Sequence, residues 1–137
     1  ACQTALGIYN TFHIFGTDYK TKDGTAVRDY IHIEDLCEAH LLVMDALLNG
    51  HNSDVYNVGT GTGATVSHVV SLVKQISGRE FSVIASPKRA GDPAELVADP
   101  TKLMKEFGWA PKHSTLSDII YSAWHWHESH PTGYIAV

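Results

Sequence analysis

At 137 residues the chain has the length of one ordinary domain and can bury roughly two-thirds of its unfolded surface without disulfides or metals. Its 10 basic residues against 15 acidic ones leave a net charge of -5, which argues against a general nucleic-acid or membrane surface, so any anion must be met by local groups. The two cysteines, Cys2 and Cys37, lie far apart and form no CxxC, no apolar run approaches the roughly 18 residues of a membrane span, and no basic stretch leads into an apolar one at the amino end; a protein of the reducing cytoplasm is expected, with neither a disulfide framework nor a zinc site.

Residues 1–7 read as the last turns of a helix that ends on Gly7, and the first residue is Ala1 rather than Met, so the chain looks like the continuation of something longer. Residues 12–15 predict a short strand, and residues 17–26 a polar loop with Asp23-Gly24 as its turn signal. Alternation then predicts a second strand over residues 27–33. From 34 to 48 apolar residues recur at helical spacing, with Glu34 and Asp35 in the first turn and Asn49-Gly50 at the exit. A third strand is expected over 55–58, followed by a glycine loop over 59–64. Thr65 or Ser67 would cap a helix that runs to Ile76 and closes on Gly78. Residues 81–85 read as a strand, 87–93 as a loop and 96–98 as a brief extended piece. Asp99 would cap a helix over 100–107 with Pro100 at its first position, and a last helix covers about 116–127. Strands and helices alternate without a long run of strand–helix units, which predicts an α+β or small mixed α/β fold.

Two arginines stand out for chemistry. Arg28 lies at the start of a strand and Arg89 in the loop Lys88-Arg89-Ala90-Gly91-Asp92, whose glycine would let backbone approach a ligand. A guanidinium stays charged and offers a planar fork of donors, so two of them from separate segments suit a diphosphate; by spacing alone, surface ion pairs are the commoner use of both. The segment Gly59-Thr60-Gly61-Thr62-Gly63-Ala64 satisfies the dinucleotide pattern G-x-G-x-x-G/A. Against that reading, the next strand leads into Ser86, Pro87, Lys88 and Arg89, with no carboxylate to hold a ribose, so a structural turn is the better expectation. His125, His127 and His130 do not share a helix face, and the tryptophans are expected to pack rather than stack on bases. Nor does any of the six tyrosines have a lysine four residues on: those positions hold His13, Asp23, Glu34, Thr60 and His125, and Tyr134 lies too near the end.

Taken together, Ile14-Phe15-Gly16-Thr17-Asp18-Tyr19, Asp23-Gly24-Thr25 and Arg28-Asp29-Tyr30-Ile31-His32-Ile33-Glu34-Asp35-Leu36 closely resemble the UDP-galactose (UDP-glucose) 4-epimerase family of extended short-chain dehydrogenases. Tyr56-Asn57-Val58-Gly59-Thr60-Gly61, Arg89-Ala90-Gly91-Asp92-Pro93-Ala94 and Leu103 to Trp109 with Pro111 are similar to later blocks of that family, in the same order. The resemblance implies a carboxyl-terminal substrate domain: residues 11–128 would bind the nucleotide-sugar, after a helix remnant and linker over 1–10 and before a tail over 129–137. It implies that Arg28 and Arg89 bind the diphosphate, Asp92 accepts from ribose hydroxyls, Phe15 lies along the uracil, Tyr30 lines the pocket and Leu96 governs room for the sugar. No catalytic residue and no cofactor site is expected in this chain. NAD and the Rossmann domain that carries it belong to the full-length family, and epimerisation at C4 would need them; the alternatives are a free-standing UDP-sugar-binding or structural module, or part of a related nucleotide-sugar decarboxylase or dehydratase. The implied partners are a UDP-sugar, that missing domain and, through apolar surface it would have covered, a second copy of the chain.

Overall fold

The computed structural model describes residues 1–113 and 115–134. Its elements in chain order are α1 (Cys2–Ala5), β1 (Thr11–Phe15), β2 (Val27–Asp29), α2 (Ile33–Leu48), β3 (Gly63–Thr65), α3 (Val66–Ser77), β4 (Ser82–Ser86), β5 (Glu95–Leu96), α4 (Thr101–Phe107) and α5 (Leu116–Ser129). They form a small mixed α/β structure with two separate sheets. In one, β1 and β4 run parallel, with Thr11 opposite Ser82 and Phe15 opposite Ser86. In the other, β2 is central, antiparallel to β3 and parallel to β5.

The helices are set by their caps and by two cores. Thr65 has extended backbone and its hydroxyl accepts from the His68 N–H at 3.2 Å, while Gly78 closes α3 in the left-handed conformation that glycine adopts without a Cβ penalty. Ala5, Val69, Val73, Ile120 and Trp124 form one core where α1, α3 and α5 meet. Ala39, Leu103 and Trp109 form the other, between α2, α4 and the segment after α4. Burying a side chain such as Leu103 or Trp124 contributes about 2–3 kcal/mol each. Asp35, 1% exposed, ties the second core to its flank: its carboxylate accepts from the backbone N–H groups of Lys112 and His113 at 2.9 and 3.0 Å.

Several elements differ from the sequence expectation. The strand expected over 27–33 stops at Asp29, because its partners β3 and β5 reach no farther; residues 30–32 leave the sheet, and the imidazole of His32 becomes the cap of α2. Its Nδ1 accepts from the Glu34 N–H at 3.2 Å, which leaves Nε2 to donate to Ser122 Oγ at 2.8 Å. The segment 55–58 has strand composition but pairs with neither sheet. Side chains meet its backbone instead: the Val55 N–H donates to Asp54 Oδ1 and its carbonyl accepts from Lys102 Nζ. The second half of the glycine loop is itself β3. Pro100, expected inside α4, is its N-cap, and Asp99 serves the helix from one residue farther out by accepting from the Thr101 N–H at 3.0 Å.

Candidate functional site: a cleft between the two sheets

A cleft of about 530 Å³ is bounded by α1, the β1 strand, the β2 strand with Tyr30, and the loop 87–93. Phe15, Arg28, Tyr30, Arg89 and Asp92 all line it. Phe15 closes β1, and Arg28 comes from the middle of β2. Arg89 and Asp92 come from one turn: the Asp92 N–H donates to the Arg89 carbonyl at 3.2 Å, and Gly91 takes φ +77° between them. That turn gives Gly91 a second role besides the one its place in the loop suggests. Glycine is needed there for the left-handed backbone of the turn, and a Cβ would meet no protein atom within 4 Å, so that side of the turn is open.

The charged groups of the cleft engage one another. Arg28 Nη2 donates to Asp92 Oδ1, and its Nη1 donates to the Val27 carbonyl at 2.6 Å, which fixes the guanidinium at two points. The Arg89 guanidinium carbon lies 3.8 Å from the centroid of the Phe15 ring, a cation–π stack. Burial pushes the Tyr30 hydroxyl above its ordinary pKa, with Arg28 pulling the other way, so the phenol stays neutral and able to donate. This arrangement places two permanent cations, an acceptor and an aromatic face around one opening, the groups needed for a phosphorylated nucleoside.

Leu96 is not brought into this cleft. It sits opposite Arg28 in the parallel ladder but is exposed and lines an adjoining depression with Asp29, Asn57 and Asp99, which shares Arg28 with the cleft. Conversely, His13, Tyr9 and Gln3 line the main cleft although no sequence argument singled them out. His13 was within reach of one, since residues two apart on a strand share a face and Phe15 was already chosen. Its ring lies 6.2 Å from that of Phe15, and its Nδ1 pairs with Ser86 Oγ at 3.0 Å. Tyr9 and Gln3 precede β1 and carry no such signal.

The glycine loop does not fit a cofactor pyrophosphate, because its donors already hold an anion. The Asp29 carboxylate accepts from the N–H and hydroxyl of Thr60 at 3.0 and 2.6 Å, the N–H of Gly61 at 3.0 Å and the N–H of Ala98 at 3.3 Å. A Cβ on Gly59 would come within 2.5 Å of Asp29 Oδ2, so that glycine makes room for an internal carboxylate. Farther along the chain, the His130 ring stacks on Trp126 at 5.2 Å, while Trp109 and Trp124 are buried in the two cores. Among the described residues no helix is long and apolar enough to cross a membrane.

The family model described as GDP-mannose 4,6 dehydratase matches residues 15–121, and the chain belongs to this family of extended short-chain dehydrogenases. The chain is similar to the UDP-glucose 4-epimerase of Lactobacillus helveticus, with 46% identity over 132 residues, covering 96% of this chain and 40% of that protein. A crystal structure of a UDP-glucose 4-epimerase superposes with a TM-score of 0.92 at 45% identity, over 98% of this chain and 41% of its own. The Bifidobacterium longum UDP-glucose 4-epimerase, solved in complex with NAD+ and UDP, superposes with a TM-score of 0.85 at 36% identity, over 97% of this chain and 39% of that one. This chain therefore spans about 40% of the length of the relatives it matches.

Proposed function

We propose that the chain is the substrate-binding part of a UDP-glucose/UDP-galactose 4-epimerase, with residues 11–128 as the nucleotide-sugar-holding unit. The observation that carries this reading is the convergence on one cleft beside Phe15 of Arg28, from β2, with Arg89 and Asp92, from one turn of the loop 87–93. Arg28 and Arg89 bind the diphosphate, Asp92 accepts from the ribose hydroxyls, Phe15 lies along the uracil, and Tyr30 lines the pocket. Asp92 has acceptor capacity for this beyond its pair with Arg28, since a carboxylate offers about four lone-pair sites. Leu96, in the depression that adjoins the cleft at Arg28, borders the room for the sugar in this reading. The relative in complex with NAD+ and UDP supports the ligand class.

Titration calorimetry with UDP tests the reading. Weak binding is expected, reduced a further tenfold or more, about 1.5 kcal/mol, by Arg89→Ala, which removes charge-assisted hydrogen bonds. No binding at millimolar UDP overturns it. Inversion at sugar C4 belongs to the full-length enzyme with NAD, and the chain alone is inactive. No tyrosine here has a lysine four residues on, and the Thr60 and Gly61 N–H groups already serve Asp29. Interconversion of UDP-glucose and UDP-galactose by the chain with NAD supplied would contradict this. The free thiols of Cys2 and Cys37 suit the cytoplasm of this reading. Ile8, beside the opening helix remnant, and Ile33, at the end of the segment from Arg28, are exposed and support self-association with a second copy; a monomeric mass in concentrated sedimentation runs counts against it.

A further inference from the structure

A loop with the pattern of a phosphate cradle is filled by a side chain of this same protein, and that side chain is the chain neighbour of a cleft arginine. We infer that Asp29 is a positioning residue for Arg28: it fixes the strand that aims the guanidinium into the cleft, its own carboxylate engaged by Thr60, Gly61 and Ala98. The inference rests on the nucleotide reading given above.

Successive side chains of a strand point to opposite faces. Arg28 accordingly meets Asp92 on the cleft side, while Asp29 meets Thr60, Gly61 and Ala98 on the other. The β2 strand has few ladder bonds to hold its orientation. Its pairs with β3 end at Asp29 opposite Gly63, and its pairs with β5 end one residue earlier, at Arg28 opposite Leu96. The Asp29 carboxylate takes over where the ladder stops. On one flank it joins the strand to the loop that precedes β3, and on the other to Ala98, two residues beyond β5. Charge-assisted bonds of this kind are about twice as strong as neutral ones, and a bidentate guanidinium–phosphate contact tolerates only small errors of angle. The seat is shaped for the group, because a Cβ at Gly59 would meet Asp29 Oδ2 at 2.5 Å and Ala98 Cβ at 2.6 Å. No residue type at 59 other than glycine leaves the carboxylate where it is.

The test compares UDP with uridine, which lacks the phosphates Arg28 would meet but keeps the base and ribose. Asp29→Asn keeps the volume and turns an NH₂ group toward the N–H donors, whereas Thr60→Val removes only the hydroxyl bond. By calorimetry and NMR titration, UDP affinity is expected to fall about tenfold in Asp29→Asn and about threefold in Thr60→Val, while uridine affinity changes by less than about twofold. Equal losses for UDP and uridine would mean a general structural role and overturn the inference, as would unchanged UDP affinity. Should Asp29→Asn fail to fold, the UDP-to-uridine ratio in Thr60→Val decides alone, and an unchanged ratio overturns the inference. An unaltered chain that binds no UDP brings down the nucleotide reading itself, a result distinct from any of these.

Discussion

Two loops of this chain, 59–62 and 87–93, carry glycine and anion-holding groups, and they use them in opposite ways. The first turns its N–H donors inward onto Asp29, so its resemblance to a phosphate cradle is satisfied within the protein. The second turns Arg89 and Asp92 onto an open cleft, where Arg89 rests on Phe15 and Asp92 on Arg28. Each loop holds a glycine at positive φ, Gly61 and Gly91, but the first also holds one that packing demands. Gly59 is needed for close packing, whereas Gly91 is needed for a backbone angle. A pattern of glycines therefore says only that backbone is unusual at that place; what the neighbouring donors face decides whether the place is a scaffold or a site.

The largest expected effect falls on the scaffold loop. Gly59→Ala forces a methyl against Asp29 Oδ2 and Ala98 Cβ and pushes the carboxylate off its donors, so a loss of about 3 kcal/mol is expected in urea unfolding. An effect under about 0.5 kcal/mol would remove the distinction between the two loops. Gly91→Ala meets no neighbour and suffers only its positive φ, about 1 kcal/mol. Its larger consequence is expected in UDP affinity, because the turn that presents Arg89 and Asp92 shifts.

Acid should loosen the scaffold side by a still smaller amount. At Asp23, burial raises the carboxyl pKa. Hydrogen bonds from the Thr65 and Thr25 hydroxyls and the Thr25 N–H outweigh this and hold it below the ordinary value. A depressed folded-state pKa means stability that is complete above the unfolded value, about 3.9, and is lost as pH falls through the folded value. Asp23→Asn should therefore reduce stability at neutral pH and flatten the acid limb of a plot of urea midpoint against pH; an unchanged slope below about pH 4 contradicts the assignment. The smallest effect is expected at Lys88, which pins the cleft loop through Asp18 at 3.1 Å and lies over the Tyr19 ring at 4.4 Å. Both contacts are partly exposed, so Lys88→Ala should cost about 0.5 kcal/mol or less by thermal melting.

Local signals account for much of what was legible. Thr65 and Gly78 bracket α3 because a hydroxyl cap and a left-handed glycine are properties of a few adjacent residues. The apolar spacing of α2, the strand ending at Phe15 and the burial of Trp109 and Trp124 follow from short-range periodicity and side-chain size in the same way. Failures occur where the partner is distant in the chain. Residues 55–58 have strand composition and no strand beside them. His32 caps a helix although imidazole is not among the usual capping groups, and Ser122 holds its other nitrogen from ninety residues away. Of the cleft, the two arginines, the aspartate and Phe15 were reachable through ordered motifs, while Tyr9 and Gln3 were not.

By itself, the sequence determined the family, the helix boundaries to within a residue or two, and the residue types available for holding a diphosphate. These depend on motif order, periodicity and capping, which are written along the chain. Only the tertiary structure decided which anion-like and anion-holding groups meet one another. Asp29 and the glycine loop lie thirty residues apart, and Arg28 and Asp92 sixty-four, so their pairing is set by sheet register and loop packing. That is why one loop proves to be an interior clamp and the other the wall of a cleft.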